Sequence, residues 1–455
     1  MCAVMGVIGQ DLEASRLVHS GLWALQHRGQ ESSGIVSSDG KNLYFHRGMG
    51  LVAHVYEEED FANLPGNLAI GHNRYATSGP SSSDYLQPVV TKDKILALAH
   101  NGNLPDTTTL EKFFRKKGIA TTFLNDSDLM HKALTYYLAR GQSIEQAIKK
   151  SFPLFTGVFS ILLATVDKLI AVRDSYGVRP LVMGKYNGGF VFASETCALD
   201  TIKAQYLREV KPGEMVVVSN YGLKSYQLAK STPKLDLFEF IYFARPDSYL
   251  LGQSVNEVRR RLGKYLAKEH KIKADVVIPI PDSAIPAALG YSQESGIPFD
   301  HGLIKNRYIH RTFIRPAQKL RDKDVEMKLN PIPEILSGKR VIIIDDSIVR
   351  GTTSKKIVAM VRKAGAKKVY FLVSSPPVRY PDFYGIDTPT QKELISSRLD
   401  ENEIAKEIGA DAVYFLSYKS TIKATGLPED VLCTSCFTGI YPVDIGERRK
   451  EITYL

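Results

Sequence analysis

The chain has 455 residues, 44% of them hydrophobic and 24% charged, which is too long for a single core and points to two globular domains. No apolar run is long enough to span a bilayer, and the amino terminus lacks the pattern of a secretion signal, so a cytoplasmic protein with no membrane partner is expected. The net charge of +10 is spread over short clusters without a nucleic-acid-binding module, which argues against nucleic acid and favours a small polyanionic substrate.

In chain order, Cys2 opens a strand-like apolar run, CAVMGVIG. Once Met1 is removed, Cys2 carries both a thiol and a free α-amine, whose pKa near ~8 lets it take the thiol proton. Read alone, the same residue is a small apolar side chain at a strand start. Ser15–Gln26 has helical spacing through Leu17, Val18, Leu22 and Leu25, and places the single tryptophan, Trp23, in the core. HRGQESSGI (His27–Ile35) is a Gly-punctuated polar turn entering a strand. GHNRYATSG (Gly71–Gly79) and AHNGNL (Ala99–Leu104) follow, and NDSDLMHKAL (Asn125–Leu134) is a capped helix start with Asp128 in its first turn. The polar, small-residue run Ser78–Pro88 has the composition of a flap. In isolation Arg74 reads as a surface cation and Asn101-Gly102 as a type I′ hairpin turn, while His72 and His100 read as structural.

Taken together, these motifs resemble the class II glutamine amidotransferases, members of the N-terminal-nucleophile (Ntn) hydrolases, over the stretch from Cys2 to Leu228. The resemblance implies an αββα sandwich in which Cys2 attacks the carboxamide of glutamine. It further implies that Arg74 pairs with the substrate α-carboxylate and that Asp128 accepts its α-ammonium. Asn101 (side chain) and Gly102 (backbone N–H) would form the oxyanion hole. Cys197, beside a helix start, reads as a buried small residue, and the four cysteines form no secreted disulfide framework.

LAKSTPK (Leu228–Lys234) reads as a linker, dividing the chain into residues 2–230 and 231–455, the second part with a C-terminal extension. Beyond it helix and strand alternate, the mark of an α/β domain with a parallel sheet. Val255–Glu269 reads as a helix, and Ala274–Gly290 as a buried strand, a turn and a helix whose amino end suits a diphosphate. The charged stretch Lys305–Asn330 suits a loop that closes over an anion. Val341–Ser354, VIIIDDSIVRGTTS, is a central parallel strand that ends in two carboxylates and a Gly/Ser/Thr turn opening a helix. No Lys follows at the P-loop offset. Paired carboxylates suit vicinal ribose hydroxyls, and the turn suits a 5′-phosphate. Gly365–Val373 and Asp411–Leu416 read as further strands, and Glu401–Ile408 as a helix.

That stretch resembles the phosphoribosylpyrophosphate (PRPP) signature of type I phosphoribosyltransferases. By this resemblance Asp345 and Asp346 hold the ribose hydroxyls, directly or through Mg2+. Ser347, Arg350, Gly351, Thr352 and Thr353 bind the phosphate. Asp282 and Ser283 belong to the diphosphate loop, with Ser283 joining Asp345 and Asp346 around Mg2+. Lys305, Arg307, Tyr308 and Arg311 meet the diphosphate. The two halves together resemble the glutamine PRPP amidotransferase family of purine synthesis. The implied reaction turns PRPP, glutamine and water into 5-phosphoribosylamine, diphosphate and glutamate, with ammonia passing through an internal channel. Purine nucleotides as inhibitors and a homotetramer or homodimer are implied as well. Some members of the family carry a [4Fe–4S] cluster on four cysteines. Cys433 and Cys436 match the last pair, whereas Asp236 and Asp382 stand at the other two positions. Carboxylates are poorer iron–sulfur ligands than thiolates, which argues against the cluster and leaves a different metal open.

Overall fold

The structure, a computed structural model, describes residues 1–75, 85–220, 222–306, 328–386, 388 and 390–453. Two compact units are present. The first comprises Met1–Asp236 with 382–387 and 441–450, the second Leu237–Pro381 with 388–440 and 451–455.

Thirteen strands among the described residues build the two large sheets of the first unit. They are β1 (Ala3–Ile8), β2 (Ser32–Ser38), β3 (Leu43–Met49), β4 (Leu68–Arg74), β5 (Val89–Val90), β6 (Ala97–Asn103) and β7 (Val158–Ala164). There follow β8 (Lys168–Arg173), β9 (Val182–Tyr186), β10 (Gly189–Ala193), β11 (Gln205–Glu209), β12 (Glu214–Ser219) and β13 (Gly222–Gln227). Its helices are α1 (Ala14–Ala24), α2 (Val52–Val55), α3 (Thr108–Arg115), α4 (Asp126–Leu138), α5 (Ile144–Ser151) and α6 (Thr196–Thr201). One sheet has the order β11-β9-β10-β1-β4-β2-β3 and the other β13-β12-β8-β7-β6-β5. Neighbouring strands are antiparallel.

Three apolar clusters make these sheets a four-layer αββα sandwich. Val4, Ile70, Val36 and Phe192 from one sheet meet Ala99, Leu162, Leu169 and Val216 from the other. Val18 and Leu22 of α1, with Ala198 of α6, cover the outer face of the first sheet. Leu110, Leu129, Leu134 and Ile148 of α3, α4 and α5 cover the outer face of the second. Period-two burial on two opposed faces, with helical stripes outside, is the pattern such layers require.

In the second unit four parallel strands run in the order Val276–Pro279, Arg340–Asp345, Lys368–Val373 and Ala412–Phe415. The β-branched run Val341–Ile344 is fully buried, as a strand covered on both faces must be. The helices Val255–Glu269 and Glu401–Ile408 have the bounds read from the sequence.

One local expectation fails. Trp23 is 55% exposed instead of core. Val18, Gly21 and Leu22 form the buried face of α1, and position 23 turns about a quarter of a revolution past it. There the Trp23 ring lies edge-on to the His19 ring, their centroids 5.6 Å apart. Asn101-Gly102 is no hairpin turn, because both residues lie inside β6, paired with Ser160 and Phe159 of β7. Tertiary pairing overrides the local turn preference.

The seat of α1 gives a stability test. A Cβ on Gly71 of β4 would lie 2.5 Å from Val18 Cγ1 and 2.7 Å from Leu22 Cδ1. Gly71→Val is expected to cost about 1–3 kcal/mol by overpacking, read as a lowered midpoint in thermal or urea unfolding. An unchanged midpoint would mean that α1 does not pack on β4.

Candidate active site

Two centres emerge, one in each unit. In the first, Ala3 pairs with Asn73, so Cys2 comes level with Arg74 at the end of β4. The Cys2 nitrogen donates to Asn101 Oδ1 at 3.1 Å, a bond from the start of β1 to β6 in the opposite sheet. With its oxygen so engaged, Asn101 must present its amide nitrogen elsewhere. Nδ2 is buried and has no hydrogen-bond partner among the described residues. A buried donor without an acceptor is costly, and the natural remedy is an acceptor supplied by a ligand. Gly102 follows with φ +153°, and a Cβ there would lie 2.0 Å from the Val158 carbonyl oxygen, so only glycine fits.

Around this pair the charges are buried and ordered. Arg28, fully buried, donates through Nε to the Cys2 carbonyl at 3.2 Å and pairs with Glu195, whose Oε1 also lies 2.7 Å from His27 Nε2. Arg74 holds Glu31 at 2.8 Å and stands over the Tyr85 ring, its guanidinium carbon 5.1 Å from the centroid. The second oxygen of Glu31 has no hydrogen-bond partner among the described residues. Asp128 closes the capping box of α4 with Asn125, and burial raises its carboxyl above the usual range. Burial also pulls His72 down to about 3 and lowers His100, so both imidazoles are neutral at pH 7. His72 Nε2 lies 3.0 Å from the His100 carbonyl, a second link between the sheets. Met1 precedes Cys2 and is itself buried, so here the Cys2 nitrogen is a peptide nitrogen.

In the second unit Asp345 ends the strand Arg340–Asp345 and Asp346 follows it. Ser347 Oγ donates to Asp346 Oδ1 at 2.8 Å, and Ser283 Oγ donates to Asp346 Oδ2. The Asp346 nitrogen donates to Asp345 Oδ1 at 2.9 Å. The loops after two neighbouring strands thus converge on one pair of carboxylates. Burial, and then the charge of Asp346, raises Asp345 well above the usual carboxyl range. Burial raises Asp346 too, opposed by the hydroxyls of Ser283 and Ser347 and by the charge of Arg259. Gly351, at φ +82°, caps the helix Thr352–Lys363, and Thr352 and Thr353 are exposed in its first turn. Lys305 Nζ reaches Asp282 Oδ2 at 2.6 Å, while Arg350 pairs at the surface with Glu393. Arg307, Tyr308 and Arg311, and most of the run Ser78–Pro88, lie outside the described residues.

Of the four positions considered for a cluster, the two acidic ones share one cation. Buried Arg179 donates to Asp236 Oδ2 at 2.8 Å and lies 3.6 Å from Asp382 Oδ1. Cys433 and Cys436 are buried in the second unit. No three His, Cys, Asp or Glu side chains among the described residues are grouped to hold a metal.

Sequence reasoning missed Arg28, Glu31, Gln87 and Glu195. The first two were in view within HRGQESSGI, but polar residues in a Gly-rich turn carry no signal of burial. Nor is any helix among the described residues long and apolar enough to cross a membrane.

Comparison with known proteins adds the following. The glutamine amidotransferase domain family matches residues 72–201 and the phosphoribosyl transferase domain family residues 249–383. An amidophosphoribosyltransferase of Synechocystis sp. is 45% identical, over 99% of this chain and 93% of that protein. A glutamine PRPP amidotransferase from B. subtilis, solved with ADP and GMP, superposes with a TM-score of 0.90 at 42% identity, covering 98% of both chains. A structure described as the allosteric regulatory enzyme of purine biosynthesis gives 0.91 at 42% identity over both full lengths.

The Asp345–Asp346 pair sets a pH dependence. Below the unfolded carboxyl range, near ~4, Asp345 is protonated folded or unfolded and costs nothing. As pH rises through its raised folded value, the fold must hold a buried charge beside a second one, and stability is lost. Without divalent cations, Asp345→Asn is therefore expected to unfold at a higher temperature than the parent at neutral pH, with the difference vanishing in acid. A parent more stable than the variant throughout would contradict this.

Proposed function

Because the chain belongs to the amidophosphoribosyltransferase family, we infer that it transfers the amide nitrogen of glutamine to PRPP, yielding 5-phosphoribosylamine, diphosphate and glutamate, a step of purine biosynthesis. The observation that carries the glutamine half is the Cys2 thiol beside an amide whose oxygen is used and whose nitrogen is not. Removal of Met1 would expose the α-amine, which takes the thiol proton and leaves a thiolate. The thiolate adds to the carboxamide carbon of glutamine. Asn101 Nδ2 and the Gly102 N–H then receive the developing oxyanion. Collapse of the adduct expels ammonia, which leaves with the proton the amine had taken, and water frees glutamate from the thioester. Arg74, released in part from Glu31, and Asp128 would orient the α-carboxylate and α-ammonium of the substrate.

In the second unit Asp345 and Asp346 would bind the ribose hydroxyls, and the turn Ser347–Thr353 the 5′-phosphate. Asp282, Ser283 and Lys305 flank the position of the diphosphate, and Arg307, Tyr308 and Arg311 belong to the proposed lid. The residues fit Mg2+. Two carboxylates raised by burial, Asp345 also by the charge of Asp346, are together with the Ser283 hydroxyl hard oxygen donors suited to a cation. When bound, the ion neutralises charge gathering on the departing diphosphate. Ammonia attacks C1 of the ribose as that bond breaks, so the chain's part is to hold both reactants in line and to keep water out. We further propose that ammonia passes directly from Cys2 to PRPP, that residues 2–230 and 231–455 divide the labour, and that the enzyme works in the cytoplasm as a homo-oligomer inhibited by purine nucleotides. With Asp236 and Asp382 bound to Arg179, the chain is taken to hold no iron–sulfur cluster.

Cys2→Ala is expected to abolish phosphoribosylamine formation from glutamine and to keep it from ammonium salts. Loss of both would overturn the division of labour. Chelating divalent cations should stop synthesis from either nitrogen source while glutamine hydrolysis continues. Chelation that stops hydrolysis equally would remove Mg2+ from the assignment.

A further inference from the structure

One buried polar cluster in the first unit has no part in the chemistry just described. Gln87, on the stretch leading into β5, is 8% exposed and uses both ends of its amide. Its Oε1 accepts from the His100 backbone nitrogen at 2.8 Å, and its Nε2 donates to Ser127 Oγ at 3.2 Å. Ser127 Oγ in turn lies 3.0 Å from His100 Nδ1. Three segments distant in sequence are thus tied in a ring of three hydrogen bonds: the Gln87 stretch, β6 at His100, and the first turn of α4 at Ser127.

The ring grips β6 immediately before Asn101, and a second grip lies just after Gly102. Asp126, also in the first turn of α4, accepts from the Leu104 nitrogen at 3.2 Å. The oxyanion pair is therefore strapped on both sides to one helix terminus, the turn that also carries Asp128. Gln87 is itself held from behind. Arg47 donates to the carbonyls of Leu86 and Pro88, at 3.2 and 2.9 Å. A Cβ on Gly34 would lie 2.1 Å from the Gln87 carbonyl oxygen, so β2 presses against this stretch at close range.

We propose that Gln87 and Ser127 are positioning residues for glutamine hydrolysis, which fix the β6 backbone so that Asn101 Nδ2 and the Gly102 N–H face the reacting carbonyl. The physical case is that an oxyanion donor acts only if its place is set before charge develops. At Asn101 and Gly102 the strand register runs to β7 alone, since β5 pairs only with Ala97 and Leu98, which leaves this end of β6 freer to shift. A ring closed through His100, whose burial keeps the imidazole neutral, removes that freedom. The reading rests on Cys2 as the nucleophile.

The test uses the full-length processed chain, with steady-state glutamine hydrolysis and alkylation of Cys2 by iodoacetamide measured side by side. Alkylation needs the thiolate and no oxyanion hole. Deleting an oxyanion donor outright costs about 100- to 1,000-fold in kcat, so displacing the pair by Gln87→Ala should cost roughly 10- to 100-fold. KM for glutamine should stay within about threefold and the alkylation rate within about twofold. Ser127→Ala, which deletes a single hydroxyl, should give the same split and serves where Gln87→Ala does not fold. An unchanged kcat in Ser127→Ala, a KM effect with kcat intact, or hydrolysis and alkylation falling together would each overturn the proposal. A parent chain that alkylates but never hydrolyses glutamine would instead sink the reading of Cys2.

Discussion

The hydrogen bond from the Cys2 nitrogen to Asn101 Oδ1 is the constraint on which the first unit's chemistry depends. It crosses from one sheet of the sandwich to the other, and so it forms only if the two sheets meet in one register. The apolar layer between them sets that register, through small residues such as Gly6, where a Cβ would already crowd Leu162 and Leu169 at 3.1 Å. Packing thus reaches the site by a short chain of causes. The interior fixes the sheet spacing, the spacing brings β1 to β6, and the bond spends one end of the Asn101 amide. The other end is left buried, with no hydrogen-bond partner among the described residues.

The second unit reaches a similar condition with opposite charge. There the parallel sheet places a carboxylate pair beyond its strand ends, where burial, and for Asp345 also the charge of Asp346, resists ionisation. The first centre is short of an acceptor, the second short of a cation. In the first a buried amide nitrogen has no acceptor among the described residues, and in the second burial holds two carboxyls above their usual range. The functional assignment is therefore carried by what each centre lacks as much as by what it contains.

Much of the fold was legible because its signals are long or sharply bounded. The four-residue run Val341–Ile344, ended by two aspartates, could hardly be other than a buried parallel strand. The helix Glu401–Ile408, with Asp400 before it and Gly409 after it, carries its own start and stop. The groupings of Cys2 with Asn101 and of Ser283 with Asp346 were legible because their residue patterns are recognisable, and the structure brings each pair together. Gln87 and Glu31 were not, since their roles arise from contacts with residues far along the chain. Glu31 lies 43 positions from Arg74. Gln87 meets His100 and Ser127 from a stretch with neither periodicity nor motif. Trp23 was misplaced for a different reason: helical spacing fixes a buried face but not its width, and the largest side chain fell just beyond the edge.

Asp236 and Asp382 are two buried carboxylates gathered on one cation. Two thiolates can share charge with iron and sulfide, whereas two buried carboxylates need a cation with hydrogen-bond donors. Arg179 supplies it, and is held from the other side by the Tyr384 carbonyl, which accepts from both Nε and Nη2 at 3.0 and 2.9 Å. The Asp382 carboxylate also accepts from the backbone nitrogens of Tyr384 and Ile386, each at 2.8 Å. These bonds tie the segment 382–387 into the first unit, although the chain on either side of it belongs to the second. An ion pair with this much backbone around it is less a surface bridge than a fastener. It holds a returning segment in place by directional bonds.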